Sequence, residues 1–245
     1  MQRHHALNTL AGSVNAGLSG LRDRLEAGWG AIAEAARRSG REPSRIRLVG
    51  VVKQVPAEVV KAAVALGLTD LGENRVQEAE GKIAAVGRHG VRWHMIGHLQ
   101  RNKAAWAVDL FDLVHSVDGI ELAEALSRRA VAAGRTLPVL IEVNVTGEAS
   151  KFGVTPERLE PLLVRMKALP GLEPEGLMTV GRVVERAEEA RPAFAALRGL
   201  RDRVARATGV ELPELSMGMS ADFEVAVEEG ATLVRVGSAI FGSRT

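Results

Sequence analysis

The chain has 245 residues, 46% of them apolar, and its 32 basic and 30 acidic side chains leave a net charge of +2. That length suits one large α/β domain or two small ones, and charges interspersed along a chain with only 3% aromatic residues argue against nucleic-acid binding. Cysteine is absent, which excludes disulfides, thiolate catalysis and Cys-ligated metals; tyrosine is absent as well.

No apolar run approaches the length needed to cross a bilayer, and Met1-Gln2-Arg3-His4-His5 leads into no apolar h-region. The expectation is a cytoplasmic protein without a signal peptide or membrane contact. Residues 1–12 are expected to be poorly ordered. From Val14 to Arg38 apolar residues recur at helical spacing (Leu18, Leu21, Leu25, Trp29, Ile32), and Gly40 stops that helix. Arg47-Leu48-Val49-Gly50-Val51-Val52-Lys53 reads as a buried strand ending in a lysine. Pro56 opens a helix to about Leu66.

The same unit then repeats. A short strand over Asp70–Asn74 precedes a helix from Val76 to Val86, and Arg92–Gly97 is a third strand, followed by a short helix near Asn102–Ala107. Phe111–Val117 is a fourth strand with a helix over Ile120–Ala133; Pro138–Val145 is a fifth, with a helix from Pro156 to Leu169. Gly176–Val180, Glu214–Met217 and Leu233–Gly237 complete the strands, separated by helices over about Glu185–Thr208 and Phe223–Glu229. Alternating strands and helices imply a parallel sheet with right-handed crossovers. Eight such units fit an α/β, single-domain (β/α)8 TIM barrel over 1–245, with an extra N-terminal helix on its outside or bottom. An open doubly wound sheet is the alternative.

In such a barrel chemistry sits at the C-terminal ends of the strands, and the unusual polar residues fall there: Lys53, Glu73-Asn74, His98, Asn144, Thr179, Ser216–Ser220 and Arg235–Ser238. Lysine is rarely buried unless paired or neutralised, so Lys53 is a candidate Schiff-base lysine; the plainer alternative is a lysine that snorkels past the strand end. Small residues in Ser216-Met217-Gly218-Met219-Ser220 and the Gly237-Ser238 pair suit an anion held by backbone N–H groups, with Ser220 placed as a helix N-cap. Two ordinary tight turns would explain the same residues. Arg235 lies between Val234 and Val236, so it faces away from them: either a cation aimed into the barrel or a partner for a buried carboxylate such as Glu142. His94 and His98 are four apart, but Gly97 and the strand pattern argue against a metal-binding helix; His94 reads as a hydrogen-bonded core histidine. No P-loop or nucleophile-elbow signature occurs.

Four blocks, Gly72-Glu73-Asn74-Arg75-Val76-Gln77-Glu78, Trp93 to Lys103, Leu215-Ser216-Met217-Gly218-Met219-Ser220 and Val234 to Gly242, closely resemble the pyridoxal phosphate homeostasis proteins, in order over about residues 14–243. The resemblance implies a barrel like the N-terminal domain of alanine racemase, carrying pyridoxal 5′-phosphate as an aldimine. By the same resemblance Lys53 is the cofactor lysine, Ser220, Gly237 and Ser238 cradle the phosphate, Arg235 faces the pyridine nitrogen and Asn74 lies in the pocket wall. A cation beside that nitrogen disfavours its protonation and weakens the ring as an electron sink.

One block departs from the family pattern: Val52 and Gln54 stand where hydroxyl residues usually flank the lysine. The resemblance implies a non-catalytic carrier, a monomer that buffers the cofactor or delivers it to apo-enzymes. A low-activity amino-acid racemase is the alternative. The absence of tyrosine, and a chain ending just after the eighth strand with no second domain, speak against it. A cofactor-free Schiff-base aldolase barrel is a third reading.

Overall fold

The computed structural model describes the backbone of residues 2–148, 150–182 and 184–242, and side chains from residue 20 onward within those ranges. The strands are β1 (Arg47–Val51), β2 (Asp70–Glu73), β3 (Arg92–Met95), β4 (Leu113–Val117), β5 (Leu137–Glu142), β6 (Leu172–Met178), β7 (Glu214–Ser216) and β8 (Leu233–Val236). All are parallel and they close in sequence order; β1 pairs with β2 on one side and with β8 on the other, Val49 opposite Arg235. This closure excludes the open sheet.

Between the strands run α2 (Ala57–Ala65), α3 (Val76–Val86), α4 (Ala104–Leu110), α5 (Ile120–Ala132), α6 (Pro156–Lys167), α7 (Arg191–Thr208) and α8 (Phe223–Glu228), and α9 (Ser238–Phe241) follows β8. The helix α1 (Gln2–Arg38) packs against α2, α8 and α9, so it covers the outside of the barrel across the seam between first and last units. Arg38 fastens it to Glu224 and Glu228 of α8, and Arg24 Nε donates to the Ile240 carbonyl. Poor order was expected over residues 1–12 and a helix from Val14; the backbone of residues 2–12 already belongs to α1, while Met1 and the side chains of this stretch lie outside the described residues.

Alternation along each strand divides the core in two. Val49, Leu113, Leu140, Met178 and Leu233 fill the barrel interior. Outward residues such as Leu48, Trp93, Val114 and Leu177 join the larger apolar layer under the helices. Apolar side chains buried in this amount are the main favourable term in folding, at about 25 cal/mol per Å² removed from water.

Several element ends shift by a few residues, β4 starting at Leu113 and β5 ending at Glu142 among them, and three differences have a physical reason. β1 pairs only to Val51, so Lys53 stands just beyond the strand, although Val52 N still donates to Gly72 O at 2.9 Å. β6 starts at Leu172, masked in the sequence by Glu173, Pro174 and Glu175; Pro174 sits beside a register irregularity, where a missing N–H is tolerated. The long helix expected from Glu185 begins instead as a 3-10 turn over Ala187–Ala190, with α7 starting at Arg191 just ahead of Pro192.

Candidate functional site

The C-terminal mouth of the barrel holds a cavity of about 390 Å³, within the usual size for a small-molecule site. Lys53, Asn74, Ser220, Arg235, Gly237 and Ser238 all line it, so the six residues singled out in the sequence converge on one space. Lys53 is half-buried and, among the described residues, no carboxylate pairs with it. Lys61, Lys82 and Lys151 each pair with a glutamate, and Lys103 lies over the Trp106 ring. Directly after Lys53, Gln54 has φ of 59°, a left-handed backbone that is costly for a residue with a side chain. Gln54 N donates to Glu78 Oε2 at 3.4 Å, which helps hold the turn that presents Lys53.

Ser220 does not cap α8. Asp222 stands at that position, and its Oδ1 accepts from Met219 N at 2.6 Å. Ser220 Oγ instead accepts from Gly237 N at 3.2 Å and Ala239 N at 3.3 Å, tying the β7 loop to the end of β8 and leaving its own proton free to donate. A Cβ on Gly237 would come 3.4 Å from Val51 Cβ, an ordinary contact, so Gly237 matters here for its N–H rather than for lack of a side chain. Arg182 also lines the cavity, paired with Glu148 at 2.7 Å. Burial raises the Asp222 carboxyl above its ordinary value, against the opposing pull of the Met219 N–H and of Arg235.

Arg235 points into the barrel. Its Nη1 donates to Ser216 Oγ at 2.6 Å and its Nη2 to the Thr179 carbonyl at 2.8 Å. The direct pairing with Glu142 weighed in the sequence is not formed; Glu142 acts on Arg235 only through its charge. Burial pushes the guanidinium pKa down to about 10, against the charges of Glu142 and Asp222. Glu142 Oε2 is buried without a hydrogen-bond partner among the described residues. Burial, and then the charge of Asp118, push this carboxyl up to about 7.

The other rim residues divide. Glu73 turns away from the cavity and pairs with Lys82 Nζ at 2.5 Å. Asn144 is a turn residue: its Oδ1 accepts from Gly147 N at 3.0 Å and its Nδ2 donates to Glu148 O at 2.8 Å. His98 stacks on Phe152 and faces Asp118 at 3.3 Å, while a neighbouring cavity of about 630 Å³ opens between Asn74, Gln77, Glu78, His98, Gln100 and Lys103. Among the described residues no group of three or more His, Asp or Glu side chains could hold a metal. His94 is a fully buried hydrogen-bonded histidine, as expected, but its partners, Asp70 and His115, come from other strands. His115 was missed, and Ser216 was read as part of an anion-holding segment rather than as a partner of Arg235 and His115, because one polar residue in an apolar strand gives no sign of what it faces across the barrel. No helix of the described residues is long and apolar enough to cross a membrane.

A family model described as alanine racemase, N-terminal domain, matches residues 25–245. The pyridoxal phosphate homeostasis protein of Aquifex aeolicus is 46% identical over 87% of this chain and 93% of its own. That of Pseudomonas aeruginosa is 44% identical over 87% of this chain and 91% of its own. The solved structure of PipY from Synechococcus elongatus, with pyridoxal phosphate bound, is 37% identical and superposes with a TM-score of 0.76, covering 86% of this chain and all of that one. The chain therefore belongs to the pyridoxal phosphate homeostasis protein family, built on the alanine racemase N-terminal domain.

Proposed function

We propose that this chain binds pyridoxal 5′-phosphate through Lys53 and serves as a carrier that holds the cofactor and yields it to apo-enzymes. The observation that carries the reading is the Lys53 amine, unpaired among the described residues, on the same cavity as a buried cation and a small-residue hydroxyl-and-amide corner. When bound, the cofactor supplies an aldehyde carbon for a lysine amine and a ring able to draw electrons. Lys53 contributes the amine. Ser220, Gly237 and Ser238 offer two hydroxyls and backbone N–H groups to the phosphate, as uncharged donors suited to an anion. By the family resemblance Arg235 would face the ring nitrogen, where a fixed cation would disfavour its protonation. Asn74 forms part of the wall shared with the larger neighbouring cavity.

Lack of catalysis belongs to the same reading. The chain has no tyrosine to serve as a second base opposite the lysine, and a ring kept unprotonated gives little support to a carbanion. A cysteine-free monomer in the cytoplasm completes it. Dialysis of the loaded protein tests it: wild type retains the cofactor, Lys53→Ala loses it, and Arg235→Ala retains it more weakly. Incubation with L- and D-amino acids, followed by chiral analysis, bears on the second half; turnover at ordinary enzyme rates overturns the carrier reading.

A further inference from the structure

Arg235 is one end of a line of buried polar groups that crosses the barrel interior and that cofactor binding leaves without a role. Asp70, His94, His115, Ser216 and Arg235 are each at most 5% exposed. Arg235 Nη1 meets Ser216 Oγ at 2.6 Å, Ser216 Oγ meets His115 Nδ1 at 2.8 Å, His115 Nε2 meets His94 Nδ1 at 2.9 Å, and His94 Nε2 meets Asp70 Oδ1 at 2.9 Å. The acceptor end fixes the protons between them. An ionised Asp70 can only accept, so His94 carries its proton on Nε2; a neutral His94 then accepts at Nδ1 from His115 Nε2, and a neutral His115 accepts at Nδ1 from the Ser216 hydroxyl. Arg235 Nη1, which can only donate, meets a lone pair of that hydroxyl.

The charges around the line agree with this direction. Burial would raise the Asp70 carboxyl, but hydrogen bonds from His94 and Thr69 and the charge of Arg47 hold it below its ordinary value, so it stays an acceptor. Burial, assisted by Arg92 and Arg47, lowers His94 despite the hydrogen bond and charge of Asp70; burial, assisted first by His94 and then by Arg235, Arg47 and Arg92, holds His115 well below its ordinary value. Both rings are therefore neutral and each has one proton to give. Toward Arg235 the facing charges are Glu142 and Asp222.

We propose that Ser216, His115 and His94 are positioning residues that lock Arg235, charged and immobile, against the ring nitrogen of the bound cofactor, with Asp70 anchoring the far end. The inference rests on the cofactor-binding reading above. Every dipole in the line presents its negative end toward the guanidinium, and aligned hydrogen bonds polarise one another. The line thus fixes the feature that keeps the held cofactor inert.

Imidazole nitrogen NMR on the cofactor-free protein tests the line itself. Neutral Nε2-protonated rings for His94 and His115 at neutral pH are expected; a protonated ring or an Nδ1-protonated tautomer at either position overturns the proposal. The second arm loads pyridoxal 5′-phosphate labelled at the ring nitrogen into wild type, Ser216→Ala, His115→Phe and Ser216→Thr, with thermal unfolding to establish that each variant is folded. In wild type the ring-nitrogen signal is flat across the neutral pH range. In Ser216→Ala and His115→Phe it becomes pH-dependent and retention weakens roughly tenfold, as for loss of a hydrogen bond to a charged group. Ser216→Thr, which keeps the hydroxyl, restores the flat profile. A loaded, folded Ser216→Ala and His115→Phe with the wild-type profile overturn the proposal alone. Failure of wild type to load the cofactor overturns the carrier reading, and the proposal with it.

Discussion

Replacing Lys82 by methionine tests how the wall behind Lys53 is held. Glu73 is fully buried at the end of β2, and Lys82, on α3, is its cationic partner at 2.5 Å. The same ammonium donates to the Val52 carbonyl, the residue before Lys53, so one side chain joins the ends of β1 and β2. Methionine keeps the stem's packing and removes both bonds. Glu73 then retains only the Asn74 N–H, at 3.3 Å. Removing one partner of a buried pair costs about 3–5 kcal/mol, because the remaining charge is left uncompensated. For a chain of this size that corresponds to a melting point lower by on the order of 10 °C. Burial already raises the Glu73 carboxyl, against the lowering effect of Lys82, and without Lys82 it rises further. A carboxyl whose folded pKa is raised binds its proton more readily in the folded state, so its cost is absent at low pH and grows as pH rises. The penalty of Lys82→Met is therefore expected to shrink between about pH 7 and about pH 5. Thermal unfolding at both pH values is the assay. A loss below about 1 kcal/mol at pH 7, the size of a surface pair, would refute the buried-pair reasoning; so would a penalty independent of pH.

Other outcomes follow from single residues. Gln54 is exposed, so packing does not decide its substitutions; with φ of 59° there, Gln54→Val should melt below Gln54→Gly by about 1–2 kcal/mol, and equal melting points would remove the strain from the turn. A Cβ on Gly97 would come 2.5 Å from the Asn74 carbonyl, so Gly97→Ala should displace the Asn74 wall and weaken cofactor retention in dialysis; unchanged retention would mean that the wall yields freely. The Glu142 carboxyl is raised to about 7, so wild type loses stability as pH climbs from its unfolded value toward 7. Glu142→Gln lacks that loss, and its advantage over wild type should grow by roughly 2–3 kcal/mol between about pH 5 and about pH 8, read by urea unfolding. A constant difference would show that Glu142 does not titrate there.

The barrel was legible because its units repeat: each strand is a short apolar run and each helix opens or closes on a recognisable residue, such as Pro156 at the start of α6 or Gly209 after α7. Strand ends gave a rim that includes all six of the predicted cofactor residues, and the family resemblance singled those six out of it. What stayed hidden depended on neighbours distant in sequence. Glu73 reads like Asn74 until α3 brings Lys82 over it. Ser220 reads as a cap until β8 delivers the Gly237 and Ala239 amides to its hydroxyl. The Asp70 to Arg235 line joins β2, β3, β4, β7 and β8, and no local pattern encodes contacts across a closed ring. Pro174 in β6 is the opposite case, a local signal overridden by the sheet on either side of it.

The carrier reading depends most directly on which amine the cofactor joins. Borohydride reduction of the protein loaded with pyridoxal 5′-phosphate, followed by intact-mass analysis and peptide mapping, is predicted to give one adduct per chain, located on Lys53. No adduct, or an adduct on any of the other five lysines, would contradict it.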